Sequence, residues 1–119
     1  MKAILVDPFN RTIEMVDHKG GLQSIYNLLD CTTFEAPIQY DNGDAMYVDE
    51  EAWLNVDDNK LAGFTFPNIP HVILGKGLIV GTDHEGADVD CKSVPTDFSD
   101  VIWKTDPEMR QQGRIIGVL

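Results

Sequence analysis

Carboxylates at Asp83, Glu85, Asp88 and Asp90, with Gly86 among them, are dense enough in the chain to gather a hard divalent cation such as Ca²⁺ or Mg²⁺. A helix–loop–helix calcium site wants its glycine sixth and a glutamate twelfth, and neither requirement is met. In a hairpin, Asp83 and Glu85 also project to opposite faces, so a polar turn is the better reading and no metal is assigned. Imidazole chemistry is no better placed. His18, His71 and His84 are scattered, without a His-x-x-x-His pair or a Cys-x-x-Cys to complete a zinc shell. His18 and His84 are expected exposed in turns, and His71 packed between Pro70 and Val72. Of the hydroxyl nucleophiles, Ser24 falls on the polar face of a helix and Ser93 and Ser99 in loops, none in a Gly-x-Ser-x-Gly elbow. A Ser–His–Asp constellation is assembled by the fold rather than by spacing. Cys31 reads as a small buried hydrophobe. No catalytic residue and no cofactor is assigned, and the chain is expected not to be an enzyme.

Two features could bind. Gly75-Lys76-Gly77 resembles a fragment of a phosphate loop, but a strand follows it where a Walker motif needs Ser or Thr and a helix. As a tight turn it would offer backbone amides and Lys76 to an anion, which makes Gly75, Lys76 and Gly77 the ligand-binding candidates. The other feature is acidic. Asp41, Asp44, Asp49, Glu50, Glu51, Asp57 and Asp58 fall between positions 41 and 58 with no Lys, Arg or His among them. The whole chain has nine Lys and Arg against twenty Asp and Glu, a net charge of −11. That field opposes direct binding to nucleic acid or an anionic membrane and favours a basic protein surface. Acids beside aromatic anchors make interaction sites, so Asp44, Tyr47, Asp49, Glu50, Glu51, Trp53, Asp57 and Asp58 are the protein-interaction candidates.

The elements that position these residues follow from local pattern. An apolar run at 2–6 and an alternating run at 12–16 flank turn chemistry at 7–11, predicting a hairpin. After Gly20-Gly21, Leu22, Ile25, Tyr26 and Leu29 make one apolar stripe, predicting a helix over about 21–30. Phe34, Ala36, Ile38 and Tyr40 alternate as a strand in which Pro37 implies an edge or a bulge. Asn42-Gly43 closes a second hairpin onto 45–48, and Asp49 is placed to cap a short helix holding Glu50, Glu51 and Trp53. A polar turn covers 55–60, and the aromatic and proline-rich stretch 64–70 is read as packed extended chain. Strands are expected at 77–82, 87–91 and 101–104, with a helical turn over 95–100. The fold class is therefore α+β: a mostly antiparallel sheet built from hairpins, with one main helix packed on it.

At 119 residues the chain fits one core without staples. Residues 1–104 are read as the domain, and 105–119 as a C-terminal extension whose apolar end docks on the domain or on a second subunit, giving a homodimer. Two cysteines, Cys31 and Cys91, and no signal or membrane-spanning segment imply free thiols in a cytoplasm.

The opening Met1-Lys2-Ala3-Ile4-Leu5-Val6-Asp7-Pro8, together with Ile25-Tyr26 and Leu28-Leu29-Asp30-Cys31-Thr32-Thr33-Phe34, resembles a family of short uncharacterised proteins. Tyr47-Val48-Asp49-Glu50-Glu51 and the stretch from Gly75 to Thr82 carry the same resemblance. Its members occur in bacteriophages, plasmids and bacterial genomes and are catalogued only as a domain of unknown function. Ala52 departs from the glycine expected after the acidic pair, and the tail beyond Lys104 has no counterpart. The resemblance brings no catalytic residues. It implies an accessory protein of a phage or mobile element in a bacterial cytoplasm; with the acidic block and the lack of a catalytic constellation, the leading expectation is a non-enzymatic binder of a host protein that blocks a defence or nucleic-acid enzyme. A nucleotide-sequestering protein using Lys76 is the alternative, and a small enzyme the third reading.

Overall fold

Asp7 ends the first strand and builds the first turn: its Oδ1 accepts the N–H groups of Phe9 and Asn10 at 2.9 and 3.3 Å, and its Oδ2 the Asn10 side-chain amide at 2.8 Å. These bonds close β1 (Lys2–Asp7) onto β2 (Thr12–Asp17) in antiparallel register from Lys2↔Asp17 to Asp7↔Thr12. The computed structural model describes residues 1–52, 62–69, 71–105 and 115–116. Helix α1 (Gly21–Leu29) follows, then β3 (Phe34–Gln39) and β4 (Asp44–Asp49). Between those two strands Gly43 takes a φ of 96°, and the Asn42 side chain accepts the Asp44 N–H at 2.9 Å. The β3–β4 register shifts between Glu35 and Ile38, which places Pro37 at an irregularity on an edge strand, where its missing donor does least harm.

The remaining elements are β5 (Ala62–Thr65), β6 (Val72–Leu74), β7 (Gly77–Thr82), β8 (Asp88–Val89), a 3-10 turn (Pro95–Phe98), β9 (Ile102–Thr105) and β10 (Ile115–Ile116). The larger sheet has the order β2-β1-β7-β4-β3, with β8 paired to β7, all antiparallel. The α+β reading is therefore what the structure shows.

Alternation along the central strands feeds two cores. Ala3, Leu78 and Val80 face α1 through Ile25 and Leu29, while Ile4, Val6, Met46, Val48 and Ile79 face Phe64, Phe66, Ile73 and Phe98. Burial on both faces explains why β7 reads as a continuous apolar run. A second sheet, β10-β6-β5-β9, covers the face away from the helix. It corrects the expectation of unpaired extended chain at 64–70, since Phe64 and Thr65 belong to β5, which pairs with β6 and β9. Ile115 and Ile116 pair in parallel with Val72 and Ile73 of the same chain. The remainder of the tail, 106–114 and 117–119, lies outside the described residues, as do Trp53, Leu54 and the turn expected at 55–60.

Two details depart from the pattern. Leu22, expected in the helix stripe, is 59% exposed; the first turn of α1 is fastened through its polar face instead, as described below. Strand β8 is only two residues long and lies so close to β7 that a Cβ on Gly81 would stand 2.3 Å from the Asp90 carbonyl oxygen. Gly81→Ala is expected to cost about 3 kcal/mol by forcing backbone apart, read as a fall in the urea midpoint. An unchanged midpoint would show that β8 can retreat freely.

Candidate functional site

The acidic block divides into carboxylates that face inward and carboxylates that face water. Asp44 is 1% exposed. Its oxygens accept the Lys92 N–H at 3.0 and 3.1 Å, the Ser93 N–H at 2.8 Å and the Ser93 hydroxyl at 2.6 Å. It fastens the segment after β8 to the start of β4. Asp49 is also buried, and its Oδ1 accepts the Glu51 N–H at 2.9 Å within a turn, while the helix expected to follow lies beyond Ala52, outside the described residues. Tyr47 is half-buried in the layer under the helix, its ring 5.0 Å from Phe34, and burial together with Asp88 pushes its hydroxyl pKa up. Asp44 and Asp49 thus face inward, and Tyr47 is partly covered. Trp53, Asp57 and Asp58 lie outside the described residues.

Glu50 and Glu51 are exposed at the exit of β4. Glu35, on the edge strand β3, joins them: its carboxyl is pushed up, first by burial and then by the negative charge of Glu50. Among the described residues none of the three has an ion-pair partner. Glu35 was missed from sequence because it stands between apolar residues of an alternating strand.

Gly75 has a φ of 80°, the tight turn expected of 75–77. The Lys76 ammonium, however, already holds the Asp30 carboxylate. Asp30 ends α1 in a left-handed conformation, and it lines an open groove of about 470 Å³ with Tyr26, Asn27, Cys31 and Thr32. Burial, followed by Asp49 and Asp30, raises the Cys31 thiol to about 11, so at neutral pH it stays protonated and a poor nucleophile. Cys91 is likewise free and shifted upward by burial and Asp44.

The carboxylates at 83–90 have separate tasks. Asp83 Oδ1 accepts the N–H groups of Glu85 and Ala87, each at 2.9 Å, and Asp90 accepts the Lys2 N–H at 2.8 Å. Asp88 meets an unexpected partner. His18, expected exposed, is fully buried: its N–H is held by the Met1 carbonyl at 2.7 Å, which turns the chain inward after β2. Its Nε2 lies 2.7 Å from Asp88 Oδ2, and its Nδ1 lies 2.9 Å from Ser24 Oγ. Three residues that sequence spacing kept apart are thus aligned from the end of β2, the first turn of α1 and the start of β8. The only local hint was that His18 and Ser24 bracket Gly20-Gly21; Asp88 is brought in by the pairing of β8 with β7. His84 is exposed as expected, and His71 is half-buried with its Nδ1 unbonded.

Among the described residues no helix is long and apolar enough to cross a membrane. Residues 1–100 match a family model described as a domain of unknown function. No curated protein and no solved structure matches the chain.

Proposed function

The chain belongs to that family, DUF3846, and from this premise we propose that it works by binding, presenting an acidic corner to the basic surface of another protein. The observation that carries the reading is the unneutralised group Glu35, Glu50 and Glu51, in which Glu50 raises the proton affinity of Glu35 with no cation paired to any of them among the described residues. Like charges held together in this way repel, and a basic partner relieves the repulsion while steering encounter. The resemblance to proteins of phages and mobile elements supplies the setting: an accessory protein in a bacterial cytoplasm that occupies the nucleic-acid-binding face of a host enzyme. Lys76 supports the nucleotide-binding alternative less well, because Asp30 already neutralises it.

The test is capture from bacterial lysate by the immobilised full chain, with Glu50→Lys/Glu51→Lys as the comparison. The expected result is a basic partner retained at low salt, released by about 0.5 M salt, where screening reaches only a few ångströms. The double variant is expected to lose that partner at least tenfold while keeping its urea midpoint within about 0.5 kcal/mol, since both side chains are exposed. A partner held equally by the double variant, or insensitive to salt, would reject the proposal.

A further inference from the structure

The polarity of the Ser24–His18–Asp88 chain can be read from its neighbours. The Gly20 N–H, which can only donate, points at His18 Nδ1 from 3.4 Å, so Nδ1 bears the lone pair. Asp88, an acceptor, faces Nε2, which therefore carries the proton. The Lys19 N–H donates to Ser24 Oγ at 3.0 Å, using an oxygen lone pair and directing the hydroxyl proton toward Nδ1. The result is a hydroxyl donating to a neutral imidazole whose far side is fixed by a carboxylate. That is the arrangement that activates a serine, with the two ring nitrogens exchanged relative to the serine-protease template.

A buried histidine needs only to be bonded, and a structural pin would satisfy it. What a pin does not require is that the base face a hydroxyl that water can reach. Ser24 is half-buried whereas His18 is sealed, so the base reaches solvent only past the hydroxyl on one side and the partly exposed Asp88 on the other. Around it, no side chain caps the first turn of α1, and its N–H groups are donors for an oxyanion. Gly21, at a φ of 79°, leaves that approach open, since a side chain there would meet nothing within 4 Å, whereas the Met1 methyl lies against Gly20.

The geometry points to Ser24 as a reactive nucleophile toward neutral acyl esters, with His18 as its general base and Asp88 as the positioning residue. Ser24 Oγ forms a bond to the carbonyl carbon and passes its proton to His18 Nδ1. The ester C–O bond then breaks, and the leaving alkoxide takes that proton. Water then gives a proton to the same nitrogen as it attacks the acyl-serine, the acyl–Oγ bond breaks, and Ser24 Oγ takes that proton back as the acid leaves. Anionic esters are disfavoured, because Asp88 stands behind the base in a chain of net charge −11. This site is separate from the acidic corner, and Glu50→Lys/Glu51→Lys leaves it intact.

The experiment uses the full chain and a neutral alkyl fluorophosphonate, which forms a P–O bond with a nucleophilic serine and expels fluoride. The expected result is one adduct by intact mass, mapped to Ser24 and absent in Ser24→Ala. Asp88→Asn, which keeps the shape of the side chain and removes its charge, is expected to slow labelling at least tenfold with circular dichroism unchanged. Hydrolysis of p-nitrophenyl acetate should follow the same order. Folded wild-type protein that leaves Ser24 unlabelled, or that labels Ser93 and Ser99 equally, would overturn the inference. So would an Asp88→Asn variant that labels at the wild-type rate, which would leave the three residues as a pin between helix and sheet.

Discussion

Asp44→Ala is expected to lower the free energy of unfolding by about 4 kcal/mol, because it strips the acceptor from the buried N–H and hydroxyl of Ser93 and from the Lys92 N–H. Three donors converge on this carboxylate, the Lys92 N–H shared between its two oxygens and the N–H and hydroxyl of Ser93, and Ser93 is itself 7% exposed. Hydrogen bonds to charged groups contribute about 1.5–3 kcal/mol each, so the sum is cut only by the relaxation of residues 91–94. Against a total stability of about 5–15 kcal/mol, such a loss removes at least about a quarter of it. Asp44→Asn, which retains one acceptor oxygen, should lose about half as much. Urea denaturation monitored by tryptophan emission measures both. A midpoint within about 0.5 kcal/mol of wild type would mean that Asp44 does not organise the segment after β8. The contrast with Glu50 and Glu51 is informative: acids close together in sequence, one governing stability and two governing association.

Phe64→Ala should be comparably damaging, at about 3–5 kcal/mol. Phe64 is fully buried between the two sheets, with ring centroids 5.8 Å from Phe66 and 6.5 Å from Trp103, and Phe66 in turn reaches Phe98 at 5.9 Å. The absence of a side chain at Gly77 admits the ring, since a Cβ there would lie 2.8 Å from Phe64 Cζ. Truncation would open a cavity walled by strands of both sheets, which cannot close without sliding one sheet on the other. Phe64→Leu, which refills part of that volume, is expected to recover at least half the loss. Chemical denaturation distinguishes these outcomes, and a loss under about 1 kcal/mol for Phe64→Ala would place the inter-sheet core elsewhere.

Much of the fold was legible because its causes are local. Asp7 folds its own turn, Asn42-Gly43 supplies the second, and Pro37 marks an edge strand with an irregular register. The helix showed itself through Ile25 and Leu29, although Leu22 followed the same spacing and found no core to enter. The second sheet was hidden because β5 and β6 are four and three residues long, too short for alternation to stand out, and are stabilised by pairing with β9 and β10. The candidate sites were harder for the same reason. Nothing near Asp44 in sequence announces the donors on Lys92 and Ser93, and nothing near His18 announces Asp88. Charge excess can be counted along a chain, but which acids turn inward is decided by residues 48 to 70 positions away.

The place of β7 in the larger sheet also fixes when that sheet can exist. Strands β1 and β4 each finish a hairpin early in translation, yet they meet only through β7, which pairs with both. Until residue 82 has emerged from the ribosome, each hairpin keeps one inner edge without a partner, and the nascent chain is two separate ribbons. Closing them needs contacts between residues more than 70 positions apart, such as Ile4 with Ile79, so the sheet forms late and in one step. During that interval the exposed edges are open to pairing with other chains. A high negative charge, carried from the first hundred residues onward, keeps such nascent chains apart while they wait.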